Sequence, residues 1–215
     1  MKKFITVFTL LFILATVGVI ANADYYSSYT PLKYGMQNAE VKNLENDLKS
    51  LGYFSSTVSD FFGTVTKQSV INYQRNNGLS ADGIVGHATA REIKIDRVVA
   101  RAKSYQGVPY VWGGTSPSGF DCSGFVHYTF LKNGITIPRT TDALYTVGKQ
   151  IAKSILKPGD LVFFTTYKPG PSHVGIYVGN KQFIHASSGA GKIVLAHLDN
   201  SYFASRYIGS RRIIR

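Results

Sequence analysis

The chain has 215 residues, with 24 Lys and Arg against 12 Asp and Glu, a formal charge of +12. That length holds one or two modest domains, and no lysine-rich run marks a nucleic-acid-binding arm, although Arg206, Arg211, Arg212 and Arg215 make the C-terminus basic. A single cysteine excludes an intramolecular disulfide framework, so the fold rests on its apolar core.

Met1-Lys2-Lys3 precedes an apolar run from Phe4 to Ile20 and then Ala21-Asn22-Ala23. A charged start, an apolar stretch and an A-x-A site predict a secretory signal peptide over residues 1–23, cut after Ala23. The alternative is a retained anchor, since the run comes close to spanning length. Thr6, Thr9, Thr16 and Gly18 dilute the run, which favours export with cleavage. Removal of Lys2 and Lys3 lowers the formal charge to +10. A basic exported protein is expected to meet anionic wall polymers rather than nucleic acid. A monomer is expected.

Residues 24 to 33 read as a short exposed leader. Val41, Leu44, Leu48 and Leu51 form one helical stripe, stopped by Gly52. A second helix is predicted from Thr64 to about Asn76, burying Val70 and Tyr73, and a third over Ala88 to Ile93. The approaches to the second and third helices repeat one another: Asp60-Phe61-Phe62-Gly63-Thr64-Val65-Thr66 against Asp82-Gly83-Ile84-Val85-Gly86-His87-Ala88-Thr89. These residues, 34–94, form a small helical domain. Ile95-Asp96 then leads without a long linker into a helix over Arg97 to Tyr105, so the flanking domains are expected to touch.

A loop rich in Gly, Ser and Pro delivers the chain to Asp121-Cys122-Ser123-Gly124. Phe125, Val126, Thr129 and Phe130 have helical spacing, and Asn133-Gly134 stops the helix. Cys122 therefore lies in a first helical turn, where free N–H groups and the macrodipole favour a thiolate. A structural buried cysteine is the bland alternative. Ile137 to Thr141 reads as an extended segment and turn. Short strands follow at Leu161–Phe164, Ser172–Val178, Gln182–Ala186, Ile193–His197 and Tyr207–Ile214. Strands in succession after helices predict an α+β domain over 96–215, the cysteine helix packed across an antiparallel sheet.

Of five histidines, His173 and His185 fall on consecutive strands. A three-residue loop at Val178 to Asn180 sets them directly opposite on one face, whereas a two-residue Gly-Asn loop sets them on opposite faces. Cys122 with a proton-accepting His and a polar group to orient it is the arrangement of a thiol hydrolase. His87, His127 and His197 are read as ordinary surface or core residues.

The N-terminal pattern resembles the peptidoglycan-binding-type three-helix module of bacterial wall hydrolases. Val41-x-x-Leu44, Leu51-Gly52-Tyr53, Phe62-Gly63-x-x-Thr66, Tyr73-Gln74, Gly78-Leu79 and Asp82-Gly83-Ile84-Val85-Gly86-x-x-Thr89 carry the likeness. Glu45 stands where that family usually has Gln, and no Gly follows Asp60. From about Arg97 onward the chain resembles the NlpC-type cysteine peptidases. The residues are Pro109-Tyr110-Val111-Trp112-Gly113-Gly114, Phe120 to Val126, Pro138-Arg139-Thr140, Pro158-Gly159-Asp160-Leu161, Ser172 to Tyr177 and Phe183-Ile184-His185-Ala186. The resemblance implies a papain-like fold and cleavage of peptidoglycan stem peptides between D-γ-glutamate and the diamino acid. It implies Cys122 as nucleophile, His173 as general base and acid, and His185 as its orienting partner. Tyr110 would help hold the oxyanion, Asp121 and Ser123 would line the substrate site, and Arg139 and Thr141 would lie near the cleft. No cofactor or metal is needed for that chemistry.

The same residues are compatible with two other chemistries. The same Cys–His chemistry serves an amidase cutting the glycan–peptide junction. Cys122, His173 and His185 could instead ligate zinc with one open position. A non-catalytic wall-binding protein would have no use for the Cys–His–His set.

Overall fold

The computed structural model describes residues 30–215. The expected leader over residues 1–23 lies outside the described residues. Helix α1 (Ala39–Ser50) starts where the Asn38 side chain accepts from the Val41 N–H at 3.0 Å. Its Val41, Leu44 and Leu48 are buried at the predicted spacing. Helix α2 (Thr64–Asn76) contributes Val70 and Tyr73, both fully buried, to the same core. The repeated motif has a physical basis in Gln74. Its amide Nε2 donates to Asp82 Oδ1 and the Ile84 carbonyl, both at 2.9 Å, and its Oε1 accepts from the Gly83 N–H. One buried amide thus holds the loop that leads into the next helix. Glu45, in place of the usual Gln, is also buried and accepts from the Ser59 N–H and the Thr66 hydroxyl.

Helix α3 (His87–Ser104) departs from expectation. The sequence reads as two helices meeting near Ile95-Asp96, yet the helix runs through without a break. Neither Gly nor Pro interrupts residues 87–104, and the buried stripe passes from one core to the other. Ile93 packs into the three-helix core, while Ile95, Val98 and Ala102 pack into the second core. At about 1.5 Å per residue this 18-residue helix is about 27 Å long, so one rigid element carries both halves. Arg97 reaches back to Asp47 at 2.8 Å, Tyr73 Oη donates to Asp96 at 2.7 Å, and Lys94 Nζ donates to the Asn133 carbonyl at 3.0 Å.

The second half begins with a small hairpin, β1 (Thr115–Ser116) and β2 (Gly119–Phe120). Helices α4 (Cys122–Leu131) and α5 (Thr141–Leu144) follow, then β3 (Lys149–Gln150), β4 (Leu161–Phe164), β5 (His173–Gly179), β6 (Gln182–Ser187) and β7 (Lys192–His197). A short helix α6 (Ser201–Ala204) leads to β8 (Tyr207–Arg212). The strands form one antiparallel sheet in the order β3-β8-β4-β5-β6-β7. Phe125, Val126 and Phe130 of α4 are fully buried against Phe163, Val174, Ile176 and Ile184 on one face. Burial of each such side chain contributes about 1.5–3 kcal/mol. Phe164, Phe183 and Leu198 cover the other face. The α+β reading, with a helix laid on an antiparallel sheet behind three helices, holds.

Candidate active site

Helix α4 begins at Cys122 because Asp121 caps it. Asp121 Oδ1 accepts from the Gly124 N–H at 2.6 Å, satisfying one of the free donors of the first turn. The other carboxylate oxygen pairs with the Arg139 guanidinium at 2.7 Å. Arg139 also donates to Ser123 Oγ at 2.8 Å and to the Gly114 carbonyl. Gly124 is required here, since a Cβ would stand 2.1 Å from the Gly114 carbonyl oxygen. The cysteine helix is therefore clamped at its start by one arginine fork.

Cys122 is buried, with 8% of the residue exposed. Its sulfur lies 3.8 Å from Thr141 Oγ1, at the start of α5. Burial pushes this thiol up; the Thr141 hydroxyl and the Val174 and Ser123 N–H groups pull it down, and the Asp121 charge pushes it up. The net direction is upward, which corrects the expectation that the helix start alone favours a thiolate. Desolvation outweighs the terminal N–H groups. The thiol meets the backbone of Val174, so it sits one residue along β5 from His173.

His173 and His185 come together on one face: His173 Nε2 and His185 Nδ1 are 2.7 Å apart. The route differs from both loops weighed above. The turn is the two-residue pair Asn180 and Lys181, each with positive φ, and the register slips between Tyr177 and Gly179. The two-residue turn alone would put the histidines on opposite faces; the extra residue in β5 restores a common face. The pair is consequently diagonal rather than directly opposite. Gly175 stands across from His185, where a Cβ would meet the Phe183 ring at 2.6 Å. Burial lowers His173 to about 4. Burial, then the neighbouring His173, lowers His185 to about 3. Both rings are neutral near pH 7 and share one hydrogen bond.

Tyr110 lies close enough to Cys122 to feel its charge. Burial first, then Cys122, Asp121 and Tyr167, push its phenol up to about 12. Trp112 and Tyr167 meet edge-to-face at 5.7 Å and are 73% and 62% exposed. Thus Cys122 has Thr141 and Tyr110 near it, Asp121, Ser123 and Arg139 form a clamp at the start of its helix, and the two histidines are a bonded pair. His127 is bound to the Ile137 carbonyl at 2.8 Å, and His197 lies beside Gln182 at 3.0 Å.

The aromatic shell of the histidine pair escaped sequence reading. Phe164, Phe183 and Phe203 surround it, with ring centroids 4.9 Å from Phe183 to His185 and 5.3 Å from Phe203 to His185. Strand alternation places Phe183 on the His185 face, a usable signal. No periodic signal marks Phe203, which rides on a helix of four residues.

Residues 107–212 match the NlpC/P60 family and residues 37–93 match a putative peptidoglycan binding domain. The chain is 41% identical over 182 residues to the probable peptidoglycan endopeptidase LytE of Bacillus subtilis, covering 84% of this chain and 51% of that protein. It is 48% identical over 118 residues to the γ-DL-glutamyl hydrolase of the same organism, covering 54% of this chain and 28% of that one. The chain thus spans about half or less of the length of these two relatives. The peptidoglycan hydrolase RipB of Mycobacterium tuberculosis superposes with a TM-score of 0.53 at 28% identity, over 82% of this chain and 84% of that one. The P60 domain of a Mycobacterium avium subspecies paratuberculosis antigen superposes with a TM-score of 0.52 at 33% identity, over 59% of this chain and 98% of that domain. Two domains matched in order, and a solved P60 domain matched along nearly its whole length, make this chain a member of the NlpC/P60 family.

Proposed function

We propose that the protein is an exported cysteine endopeptidase that cleaves peptidoglycan stem peptides, at the bond between D-γ-glutamate and the diamino acid. The observation that carries this reading is the 2.7 Å bond between His173 Nε2 and His185 Nδ1, with the buried Cys122 at the start of α4 meeting the backbone of Val174, the residue after His173. Peptidoglycan is the substrate, residues 34–94 bind the wall, and the leader is cut after Ala23. Domains named peptidoglycan binding and relatives named endopeptidases support a cell-wall location. A relative named as a γ-glutamyl hydrolase supports the choice of bond.

Cys122 and His173 rest as a neutral pair. His173 takes the thiol proton on its free nitrogen, Nδ1, and its Nε2–H donates to His185 Nδ1. The imidazolium so formed is held by its hydrogen bond to the neutral His185 ring, which orients it. The thiolate attacks the glutamyl carbonyl carbon. The resulting oxyanion is stabilised by N–H groups at the start of α4 and by Tyr110. His173 then protonates the leaving amine as the C–N bond breaks, leaving a thioester. Water, giving its proton to His173, releases the γ-carboxylate and restores the thiol. The two histidine nitrogens point at each other at 2.7 Å. A shared metal with N–metal bonds of about 2.0–2.1 Å would need both to turn toward the ion, so the arrangement favours the hydrogen-bonded pair over zinc ligation.

The test is digestion of purified wall and soluble muropeptides by the full chain, with fragments identified by mass spectrometry. New γ-glutamyl carboxyl ends are expected, with activity insensitive to chelators and abolished by thiol alkylation. Fragments split at the glycan–peptide junction would make the protein an amidase instead.

A further inference from the structure

Phe203 is carried on α6, the four-residue helix between β7 and β8, on the sheet face opposite α4. Its ring contacts both histidines: 6.5 Å and near-parallel to His173, 5.3 Å and edge-on to His185. It is itself held by Phe164 at 5.0 Å and Phe183 at 4.9 Å. Phe203 remains partly exposed, whereas His185 is only 3% exposed. The ring therefore forms the outer wall of the compartment, with the histidine pair behind it.

We propose that Phe203 is a positioning residue for the reaction, holding the His173–His185 pair in its bonded geometry and excluding water from it. This inference rests on the proposed thiol chemistry. The bond between the two rings is a single contact, and each ring is otherwise free to turn about its Cβ–Cγ bond. Aromatic rings on three sides restrict that freedom: Phe164 tilted against His173, Phe183 tilted against His185, and Phe203 near both. Phe164 and Phe183 are fully buried strand residues needed for the core. Phe203 is not, and so its contribution to the site is separable from its contribution to folding.

The surroundings of the pair explain what water would do. Phe164 of β4, Gly175 and Tyr177 of β5, Phe183 of β6, Val194 of β7, Phe203 of α6 and Tyr207 of β8 lie on this face. Cys122 of α4 meets the β5 backbone at Val174, next to His173, and Arg206, after α6, is turned onto the Tyr202 ring. No Asp, Glu, Lys or Arg pairs with either ring among the described residues. Burial is thus what keeps both neutral, and a breach in the wall lets either take a proton in mild acid. A protonated His185 can no longer accept from His173.

The experiment replaces Phe203 with Ala and with Leu, and measures kcat and KM on a soluble stem peptide from pH 4 to 9. Histidine titration is followed by NMR in a Cys122→Ala background, which needs no turnover. For Phe203→Ala, kcat is expected to fall about 10- to 100-fold with KM little changed. The acid limb should move from about 4 toward the ordinary histidine value of 6.5, and the NMR titration should follow it. Phe203→Leu keeps most of the apolar cover and should retain the low acid limb with an intermediate kcat. A wild-type limb and wild-type titration in Phe203→Ala would overturn the inference. If the Ala variant is unfolded, as judged by its melting curve, Phe203→Thr, which removes the ring and lets water reach the pair, decides by the same two readouts and with the same expected shift. A wild type with no turnover of any stem peptide would sink the proposed function, and the titration would still report on Phe203.

Discussion

Arg139 holds Asp121 at 2.7 Å while the other oxygen of the same carboxylate caps the helix that begins with Cys122. One ion pair thus sets the position of the thiol through the first helical turn. The pair is mostly shielded, with side-chain exposures of 32% for Arg139 and 15% for Asp121. Arg139→Ala should cost about 2 kcal/mol of stability, in the range for a hydrogen-bonded charge left without its partner. Arg139→Lys loses the fork to Ser123 and Asp121 and should recover only part of that loss. Melting temperatures of the three proteins check the order.

The Cys122, His173 and His185 variants should show a graded and non-additive loss. Cys122→Ala and His173→Ala remove members of one unit, so each alone should cost at least about 1,000-fold, and the double variant little more. His185→Asn leaves an amide oxygen to accept from His173 and should cost about 100-fold or less. Equal losses in His185→Asn and His173→Ala would point to a metal-ligand role. Turnover of a soluble stem peptide reads all four.

The pH profile follows from burial. His173 and His185 sit at about 4 and about 3, and the thiol of Cys122 is pushed upward. The competent neutral pair should persist across the neutral range, and kcat/KM should fall only as pH drops through about 4. Stability has its own sign. Between 6.5 and about 4 the unfolded chain binds protons at these histidines and the native chain does not. Their contribution to stability is therefore lost as pH falls through that window. Thr141→Val removes a donor that favours the thiolate, so alkylation of Cys122 at pH 8 should slow in that variant.

Most of the architecture was legible because it is written in apolar spacing. The stripe Val41, Leu44, Leu48, the stop at Gly52, and strands β4 to β8 follow periods that a core enforces locally. The continuous α3 was not legible, since its buried stripe changes partner midway and sequence pattern carries no record of which core a residue joins. The histidine pair was legible as residues and not as geometry, because one extra residue in β5 decided its register. Phe203 was invisible: a four-residue helix has no period, and its contacts come from strands 20 to 39 positions earlier.

Removing residues 24–94 should separate wall binding from bond cleavage, with a measurable cost at the joint. None of Cys122, His173 and His185 lies in the deleted part, and a solved P60 domain covering 59% of this chain lacks it. Ile95, Val98 and Ala102 keep the rest of α3 anchored in the second core. The cut removes the partners of Arg97 and Asp96, namely Asp47 and Tyr73. Asp96 is raised by burial, in spite of the Tyr73 hydrogen bond. In the full chain the native state therefore holds its proton to higher pH than the unfolded chain. That term favours folding below the native pKa and is lost as pH rises through it. Deletion exposes Asp96, so the melting temperature of the truncated protein should rise less on mild acidification than that of the full chain. Turnover of a small soluble stem peptide should stay within about threefold, while sedimentation with insoluble wall should be lost and wall digestion slowed by lower local concentration. If the soluble rate changes strongly and wall binding does not, residues 34–94 act on access to the cleft, through the shared helix, rather than on attachment.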